Sequence, residues 1–429
     1  MMPEVYKFGG ASIQDADAIR RLGELLTRHD LRPRALVVSA MGKTTNALEA
    51  LLDAARSDDT HAYRERLEAI RQAHLRTAEA LFGADSTTAA ALERLLDDLD
   101  ADHRHCNADY PIHYDRTVGF GELLSTTLVA AWLNEIGIAT HWCDARELII
   151  TDDHHQAAEV DWTETCRRLV ELAGREEGLL LTQGFIGATV EGVTTTLGRE
   201  GSDFSAAILA HCLDVEGLTI WKDVPGLFNA DPRRFDNARQ IARLSYGEAV
   251  EQAWHGAKVI HPRTLAPLQR KSIPLTVRSF LEPDAVPTRI GPEAGDGDRQ
   301  PACILRDDQV LLDVTPHDFS FMDDARLGRV LACLAHHGLH ANFLECEAMR
   351  LRLAIDDEPA KRQALLSDLR EEYRLECQAG LTLLTVRHPS DLLLHGLGSG
   401  MTIVTEKRTS TIAQRLFPSE ECPERWRLP

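Results

Sequence analysis

The sequence is poor in aromatic residues, has no long apolar run and carries far less positive than negative charge. Aromatic residues make up 6% of its 429 residues, and 47 Lys plus Arg stand against 67 Asp plus Glu, a formal net charge of −20. No apolar run reaches the roughly 18 residues typical of a membrane-spanning helix. The negative charge repels nucleic acid and anionic lipid, so an anionic ligand needs a local positive pocket. We expect no nucleic-acid partner and no membrane association.

The nine cysteines are scattered and show no CxxC spacing. An odd number without recurring spacing indicates neither a disulfide framework nor a zinc site, so we expect reduced thiols. The N-terminal stretch MMPEVYKFGG lacks the basic and apolar regions of a secretory signal. We therefore expect a cytoplasmic protein.

Two histidine-rich stretches are candidates for a metal site. They contain His103, His105, Cys106 and His113, and the pair His154 and His155. Their surroundings are acidic and loop-like, and the ligands show no recurring spacing. This pattern favours solvated histidines over a metal site.

Apolar runs alternate with helical patterns through the first 290 residues. The predicted strands lie near residues 4–10, 34–42, 139–145, 178–187, 217–224 and 273–280. The predicted helices cover residues 15–28, much of 45–109, and 117–137, 203–214 and 245–258. This α/β alternation predicts an α/β/α sandwich with a mainly parallel central sheet, whose ligands bind at the carboxyl ends of the strands.

The composition changes after Thr288, where RIGPEAGDGDRQP is rich in Gly, Pro and Asp. We predict a first domain at residues 1–290, a linker at 291–301 and a second domain at 302–429. The second domain shows a β-α-β-β-α-β order, as in a ferredoxin-like module. A further unit is shortened to MTIVTEKRTSTIAQRLF, with no room for its usual helices.

One predicted strand end carries KFGGAS, which supplies Lys7, two glycines and Ser12. Gly9 and Gly10 allow backbone amides to approach an anion closely, which suits an oligophosphate. An ordinary strand end and turn is the alternative. The spacing matches neither a P-loop nor a dinucleotide fingerprint.

Other strand ends also carry polar groups. VVSAMGKTTN offers Ser39 and Thr45 where a helix begins, although a plain helix cap explains them as well. WKDVPGLFNADPRR offers Lys222 and Asp223 before a Pro-Gly turn on which a nucleotide could rest. The Pro-Gly and Asp-Pro pairs are equally typical of turns in a long loop without a ligand. GAKVIHP places Lys258 at a helix end, where a cation is favoured even without a ligand.

Seven stretches in order resemble the aspartate kinases of the amino acid kinase superfamily. They are KFGGAS, VVSAMGKTTN, GFGELLS, LTQGFIGAT, GREGSDFSAA, WKDVPGLFNADPR and GAKVIHP. The C-terminal part resembles the regulatory ACT domains of these enzymes. The resemblance implies an amino acid kinase-like fold followed by one full ACT unit and a truncated second one.

The resemblance also implies roles for individual residues. Arg199 would pair with the α-carboxylate of L-aspartate, and Glu122 would hold its α-ammonium. The implied substrate-binding residues are Ser39, Thr45, Glu122, Arg199 and Ser202. The implied catalytic residues are Lys7, Asp203 and Lys258. The implied nucleotide-binding residues are Lys7, Gly9, Gly10, Ser12, Lys222, Asp223, Phe228, Asp231, Arg233 and Lys258.

The implied reaction transfers the γ-phosphoryl group of ATP to the β-carboxylate of L-aspartate, the first step toward lysine, threonine, methionine and diaminopimelate. ATP and Mg²⁺ would be the cofactors, with the ion carried mainly by the ATP phosphates rather than by dedicated side-chain ligands. A homodimer joined through the ACT-like region is the expected assembly.

The sequence departs from the family pattern at four positions: Ala11, Glu200, Lys222 and Phe228. Relative to the family pattern, Ala11 removes a hydroxyl near the phosphates or the substrate, and Glu200 replaces a common glycine and adds negative charge beside Arg199. An active kinase is the leading interpretation, since no residue of central role is lost. The alternatives are a catalytically weak sensor of amino acids or nucleotides, and another carboxylate kinase of the superfamily.

Overall fold

In the computed structural model the chain divides into two units. The structure describes residues 4–28, 31, 33–105, 108–257 and 260–428. The first unit comprises Met1–Leu227, Ala242–Tyr246 and Ile260–Ala294, and the second comprises Phe228–Ile241, Gly247–Val259 and Gly295–Pro429.

Strands and helices alternate through most of the chain. The strands are β1 (Glu4–Phe8), β2 (Ala35–Val38), β3 (Thr140–Cys143), β4 (Leu179–Gln183), β5 (Ile186–Ala188), β6 (Thr194–Thr196), β7 (Gly217–Lys222), β8 (Phe235–Asp236), β9 (Arg243–Ser245), β10 (Leu275–Ser279), β11 (Thr288–Gly291), β12 (Ala302–Pro316), β13 (Phe343–Cys346), β14 (Leu351–Asp356), β15 (Tyr373–Arg387), β16 (Thr405–Arg408), β17 (Ile412–Pro418) and β18 (Trp426–Arg427). The helices are α1 (Ala16–Arg28), α2 (Thr44–Arg56), α3 (Thr60–Phe82), α4 (Thr87–His105), α5 (Tyr110–Glu135), α6 (Ala145–Leu148), α7 (Trp162–Arg175), α8 (Gly201–Cys212), α9 (Tyr246–Trp254), α10 (Pro262–Lys271), α11 (Asp324–His336), α12 (Pro359–Leu369) and α13 (Asp391–Gly398).

An eight-stranded sheet forms the centre of the first unit. Its strand order is β3-β4-β2-β1-β7-β10-β11-β9, and every pairing is parallel except that of β10 with β11. All residues of β2 and β4 are buried, as expected where helices cover both faces of a sheet. The predicted mainly parallel sheet is confirmed. Among the described helices, none combines the length and apolar character that crossing a membrane requires.

The stretch 178–187, predicted as one strand, forms two. The backbone of Phe185 takes a φ of +71° directly after Gly184, which ends β4 and redirects the chain into β5. Gly184 is needed because a Cβ there would lie 2.6 Å from the Cβ of Ser202. This close approach brings the β4 end against the start of α8.

One disulfide corrects the expectation that all cysteines are reduced. Cys166 on α7 is bonded to Cys212 on α8, with Cα atoms 4.6 Å apart. The two residues are 46 positions apart in sequence, so the pairing depends on how the two helices pack. An odd total of cysteines excludes a fully paired set but leaves room for one bond.

The prediction of solvated histidines is wrong for three of them. His113 is buried, and its Nε2 lies 3.0 Å from Nδ1 of His103. Burial, with the neighbouring His113, lowers the pKa of His103 to about 4. His155 is also largely buried against Asp115, whereas His154 is exposed as predicted. Cys106 and the side chain of His105 lie outside the described part of the chain.

The second unit contains a six-stranded sheet. Its order is β13-β14-β12-β15-β17-β16, with antiparallel pairings throughout. The predicted β-α-β-β-α-β order is confirmed by β12, α11, β13, β14, α12 and β15. β12 and β15 are both 15 residues long and pair with each other. One half of the sheet places β14 and β13 beside β12, and the other half places β17 and β16 beside β15.

A short helix that was not predicted, α13, lies just before the stretch MTIVTEKRTSTIAQRLF, which itself forms β16 and most of β17 and contains no helix, as predicted. α13 places Leu393, Leu394 and Leu397 in an apolar cluster with Phe417 and Trp426. Its sequence DLLLHGLG is only eight residues long and contains two glycines, so it resembles a connection. Tertiary packing, rather than helix propensity, accounts for this element.

A buried ion pair ties two segments of the second unit together. Arg387 Nη2 lies 2.7 Å from Glu248 Oε2, and His388 Nε2 lies 3.1 Å from the same oxygen. Both members of the pair are buried. Burial raises the pKa of Glu248, but the hydrogen bonds and charges of Arg387 and His388 outweigh this and hold it below its usual value.

Candidate active site

A cavity of about 710 Å³ in the first unit brings together all five predicted substrate-binding residues. It opens where β1, β2 and β7 end and where α8 begins, as expected for a parallel sheet. The predicted site residues that line it are Lys7, Gly10, Ser39, Thr45, Glu122, Arg199, Ser202, Asp203 and Lys222.

Two lysines and one aspartate form the charged centre of the cavity. Lys7 Nζ lies 2.6 Å from Asp203 Oδ1, and Lys222 Nζ lies 3.6 Å from Asp203 Oδ2. Lys7 and Lys222 come from neighbouring parallel strands, β1 and β7, and Asp203 comes from the first turn of α8. Burial raises the pKa of Asp203, but the two ammonium groups outweigh it and hold it below its usual value. The cluster keeps a net positive charge where an anion would sit.

The loop after β1 is shaped for close backbone approach. A Cβ at Gly10 would lie 2.7 Å from the carbonyl oxygen of Ala40, so only glycine fits at this position. Ser12 follows in the same loop, and its buried Oγ has no hydrogen-bond partner among the described residues. Lysines, glycine amides and an unpartnered hydroxyl form a donor set that fits phosphate oxygens with a bound magnesium ion.

Glu122 is a buried acid of the cavity with a raised pKa. It lies in the middle of α5, is only 2% exposed and accepts a hydrogen bond from the Ala40 amide at 3.4 Å. Its second oxygen, Oε2, has no hydrogen-bond partner among the described residues. Burial raises its pKa to about 8, although the Ala40 amide and the charge of Lys7 oppose this. A cationic group entering the cavity would restore the ionised carboxylate.

Arg199 and Glu200 form the tight turn before α8. Arg199 is exposed, and no described residue forms a hydrogen bond or ion pair with its side chain. Glu200 has a φ of +54°, in the left-handed region that favours glycine. Its Oε2 is buried and has no hydrogen-bond partner among the described residues. Both side chains therefore border the cavity with unsatisfied charge or polarity.

The other predicted site residues lie elsewhere. Gly9, Ser12 and Asp223 belong to the first unit but do not line the cavity. Phe228, Asp231 and Arg233 belong to the second unit, where Arg233 Nη2 pairs with Asp231 Oδ2 at 2.9 Å. Lys258 lies outside the described residues. The structure thus assembles the predicted substrate site more fully than the predicted nucleotide site.

Sequence reasoning missed a buried network beside the cavity. Asp115 on α5 accepts hydrogen bonds from Thr196 Oγ1 at 2.6 Å and from the Gln156 amide at 3.1 Å. His155 Nδ1 also lies 2.7 Å from Asp115 Oδ2. Thr196 and Gln156 line the cavity, together with Tyr110. No sequence signal marks Asp115, because its partners are about 40 and 80 positions away and meet it only in the fold.

Comparison with known proteins identifies the family. The family described as "Amino acid kinase family" matches residues 2–279. The chain is also 34% identical to lysine-sensitive aspartokinase 3 of Escherichia coli (strain K12), over 89% of this chain and 86% of that protein. The chain belongs to the aspartokinases of the amino acid kinase family. The predicted resemblance is therefore confirmed.

Solved structures agree with this membership. The crystal structure of E. coli aspartokinase III in complex with aspartate and ADP, an R-state, matches with a TM-score of 0.83 and 31% identity, over 97% of this chain and 96% of that chain. The T-state of the same enzyme, in complex with lysine and aspartate, matches with a TM-score of 0.81, also at 31% identity and over 98% and 97% of the two chains.

Larger relatives share only part of their length with this aspartokinase. The chloroplastic bifunctional aspartokinase/homoserine dehydrogenase 1 of Arabidopsis thaliana is 33% identical over 68% of this chain. The chain spans 33% of that protein's length.

Proposed function

We propose that the chain transfers the γ-phosphoryl group of ATP to the β-carboxylate of L-aspartate, giving 4-phospho-L-aspartate and ADP. The observation that carries this proposal is one cavity that offers three groups. These are the buried carboxyl group of Glu122, whose Oε2 has no partner among the described residues, the exposed guanidinium of Arg199, and a positive lysine cluster. The first two complement the two α-groups of an amino acid. The third complements phosphate.

The cavity would hold the substrate through both groups at its α-carbon. Arg199 would meet the α-carboxylate with a planar pair of N–H donors, and Glu122 would meet the α-ammonium. Ser39, Thr45 and Ser202 line the same cavity and would add hydrogen bonds. With both α-groups held, only the side-chain carboxylate is left to react, and its chain length decides whether it reaches the phosphate.

The reaction needs no general base. The β-carboxylate is ionised at neutral pH, so its oxygen attacks the γ-phosphorus directly while the bond to the bridging oxygen of ADP breaks. Positioning and neutralisation of charge therefore supply the rate. Lys7 and Lys222 would stabilise the phosphate oxygens, and Asp203 holds the two ammonium groups in place. Magnesium, carried by the phosphates near Asp203, would supply further positive charge.

The rest of the nucleotide site is part of the proposal. Gly9, Gly10 and Ser12 would contact the phosphates. Lys258, which is not among the described residues, would neutralise the charge of the phosphates. Asp223, in the first unit, would contact the nucleotide, and the roles of Phe228, Asp231 and Arg233 stay predictions of the family resemblance. We also propose a cytoplasmic homodimer, joined through the ACT-like region, that serves the first step toward lysine, threonine, methionine and diaminopimelate.

The test compares rival acceptors. ADP release and acyl phosphate trapped as hydroxamate are measured with L-aspartate, L-glutamate and N-acetyl-L-glutamate, with and without magnesium. We expect magnesium-dependent turnover with aspartate alone. Turnover with another acceptor would identify a different carboxylate kinase. ATP binding without turnover on any acceptor would support a sensor and refute the proposal.

A matched pair of variants locates the activity in the cavity. Lys222→Ala removes a lysine at the phosphate end of the cavity, and Arg299→Ala removes an arginine remote in sequence from every site motif. We expect at least about a 100-fold loss of kcat/KM in the first, equivalent to about 3 kcal/mol, and none in the second.

A further inference from the structure

Three metal-ligand side chains meet on the surface of the second unit, apart from the proposed active site. Cys333 and His337 belong to α11 and the residue that follows it, and Asp368 belongs to α12. One ligand atom from each lies within 4.8 Å of the other two. Among the described residues, no other group of three His, Cys, Asp or Glu side chains brings its ligand atoms within this distance of one another.

The sequence explains two of the three positions. Cys333 and His337 are four residues apart, so a helical turn places them on the same face, one above the other. The same i, i+4 spacing is used by helical histidine pairs that bind zinc. Asp368 comes from 31 residues further along the chain, so the third ligand is visible only in the fold.

The distances are close to those of a coordinated ion. Cys333 Sγ lies 4.0 Å from Asp368 Oδ2, and His337 Nε2 lies 2.8 Å from the same oxygen. Zinc bonds of about 2.3 Å to sulfur and about 2.0 Å to nitrogen or oxygen, in a tetrahedron, separate the ligand atoms by roughly 3.3–3.6 Å. The two contacts to Asp368 Oδ2 thus lie about half an ångström from these values, and the ligand atoms of Cys333 and His337 lie within 4.8 Å of each other.

The chemistry of the ligand set selects the ion. A thiolate and an imidazole favour zinc over magnesium or calcium, which prefer oxygen ligands. Burial and the charge of Asp368 raise the pKa of the Cys333 thiol, although Arg329 opposes this. Binding must therefore displace the thiol proton, as it does in other thiolate sites. His337 and Cys333 are half-buried and Asp368 is exposed, which leaves a fourth position for water.

We propose that Cys333, His337 and Asp368 form a zinc-binding site that joins α11 to α12. The ion replaces the hydrogen bond between His337 and Asp368 with three metal–ligand bonds and releases the thiol proton to solvent. It links the two helices of the full ACT-like half, so the site stabilises this half of the second unit against unfolding.

The test measures zinc binding to the purified full chain without nucleotide. Zinc is titrated in competition with a chelating dye, and cobalt is used as a probe because its thiolate complexes absorb in the near ultraviolet. We expect one ion per chain, a thiolate band with cobalt, and no competition from excess magnesium. Zinc should also raise the thermal midpoint.

Matched variants decide the location. Cys333→Ser, His337→Gln and Asp368→Asn should each weaken binding by more than about 100-fold, because even outer partners of metal ligands are worth about 10- to 100-fold. Cys346→Ser and His395→Gln change exposed residues of the same types elsewhere and should bind as the parent does.

Other outcomes overturn the proposal. These are equal zinc affinity in all variants, a cobalt spectrum without the thiolate band, or binding no stronger than that of Cys333→Ser. Thermal melting of each variant without metal shows whether it is folded, and kinase turnover with magnesium is an independent readout of the proposed active site. A loss of zinc binding with unchanged turnover would separate this site from the proposed function.

Discussion

Glu122 should make aspartate binding release a proton. Its pKa is raised to about 8 by burial, so the free cavity holds it protonated at neutral pH. The α-ammonium of aspartate requires the ionised form. At pH 7 about nine-tenths of Glu122 is protonated when the cavity is free, so binding should release about 0.9 proton.

The raised pKa of Glu122 also determines how strongly the affinity for aspartate depends on pH. Ionising Glu122 costs about 1.4 kcal/mol for each pH unit below about 8, equivalent to tenfold in affinity. The dissociation constant of aspartate should therefore fall about tenfold per unit from about pH 6 to about pH 8, then level off. In Glu122→Gln, binding should weaken by at least about 100-fold and lose this pH dependence, because no carboxylate remains to ionise.

Calorimetry with aspartate alone avoids titration of the ATP phosphates. Measured heats in buffers of different ionisation enthalpy give the number of protons released. A heat independent of the buffer, or an affinity flat between about pH 6 and about pH 8, would refute this reasoning.

The stability of the free protein offers a second check. The protonated form fits the buried site, so the free energy of unfolding should fall by at most about 5 kcal/mol as pH rises from about 4.5 to about 8.

Three further predictions follow from the site and its support. Glu200→Gly relieves the backbone strain of a left-handed φ of +54° and should raise the free energy of unfolding by about 1 kcal/mol in urea titrations. Glu200→Gln keeps this strain and should leave the free energy of unfolding unchanged. Asp203→Asn removes the buried carboxylate that pairs with Lys7 and Lys222 and should cost about 3 kcal/mol of stability as well as the activity, whereas Asp223→Asn, which is exposed, should cost little stability. Reduction of the disulfide with dithiothreitol should lower stability by about 4 kcal/mol for its 46-residue separation, and Cys212→Ala should remove that sensitivity; an equal response in both proteins would contradict the bond to Cys166.

Residues at strand ends were predictable because the sheet is parallel. Lys7 and Lys222 are far apart in sequence, but their strands run side by side and end at the same edge. The rule that ligands bind at the carboxyl ends of parallel strands is enough to predict that the two lysines lie close together. Glu122 was predicted through resemblance alone, since nothing in a helical stretch marks one glutamate as facing a cavity.

Features that depend on tertiary packing were not predictable. Asp115 meets His155 and Thr196, and Cys166 meets Cys212, only because separate elements pack together. The left-handed turn at Glu200 was equally hidden, because glutamate does not signal positive φ. α13 was missed because a short helix with glycines is stabilised by the apolar cluster around it.

The path of the chain between the two units limits how the protein can be divided. Segments 228–241 and 247–259 leave the first unit and join the second before the chain returns, so a gene fragment ending near residue 294 encodes parts of both. Such a fragment would keep Glu248 but discard Arg387, and would keep β8 but discard its partner β18. The buried carboxylate would then lack its counter-charge. The second unit therefore cannot be exchanged between relatives as one continuous segment, because its three separate stretches of sequence would have to be transplanted together.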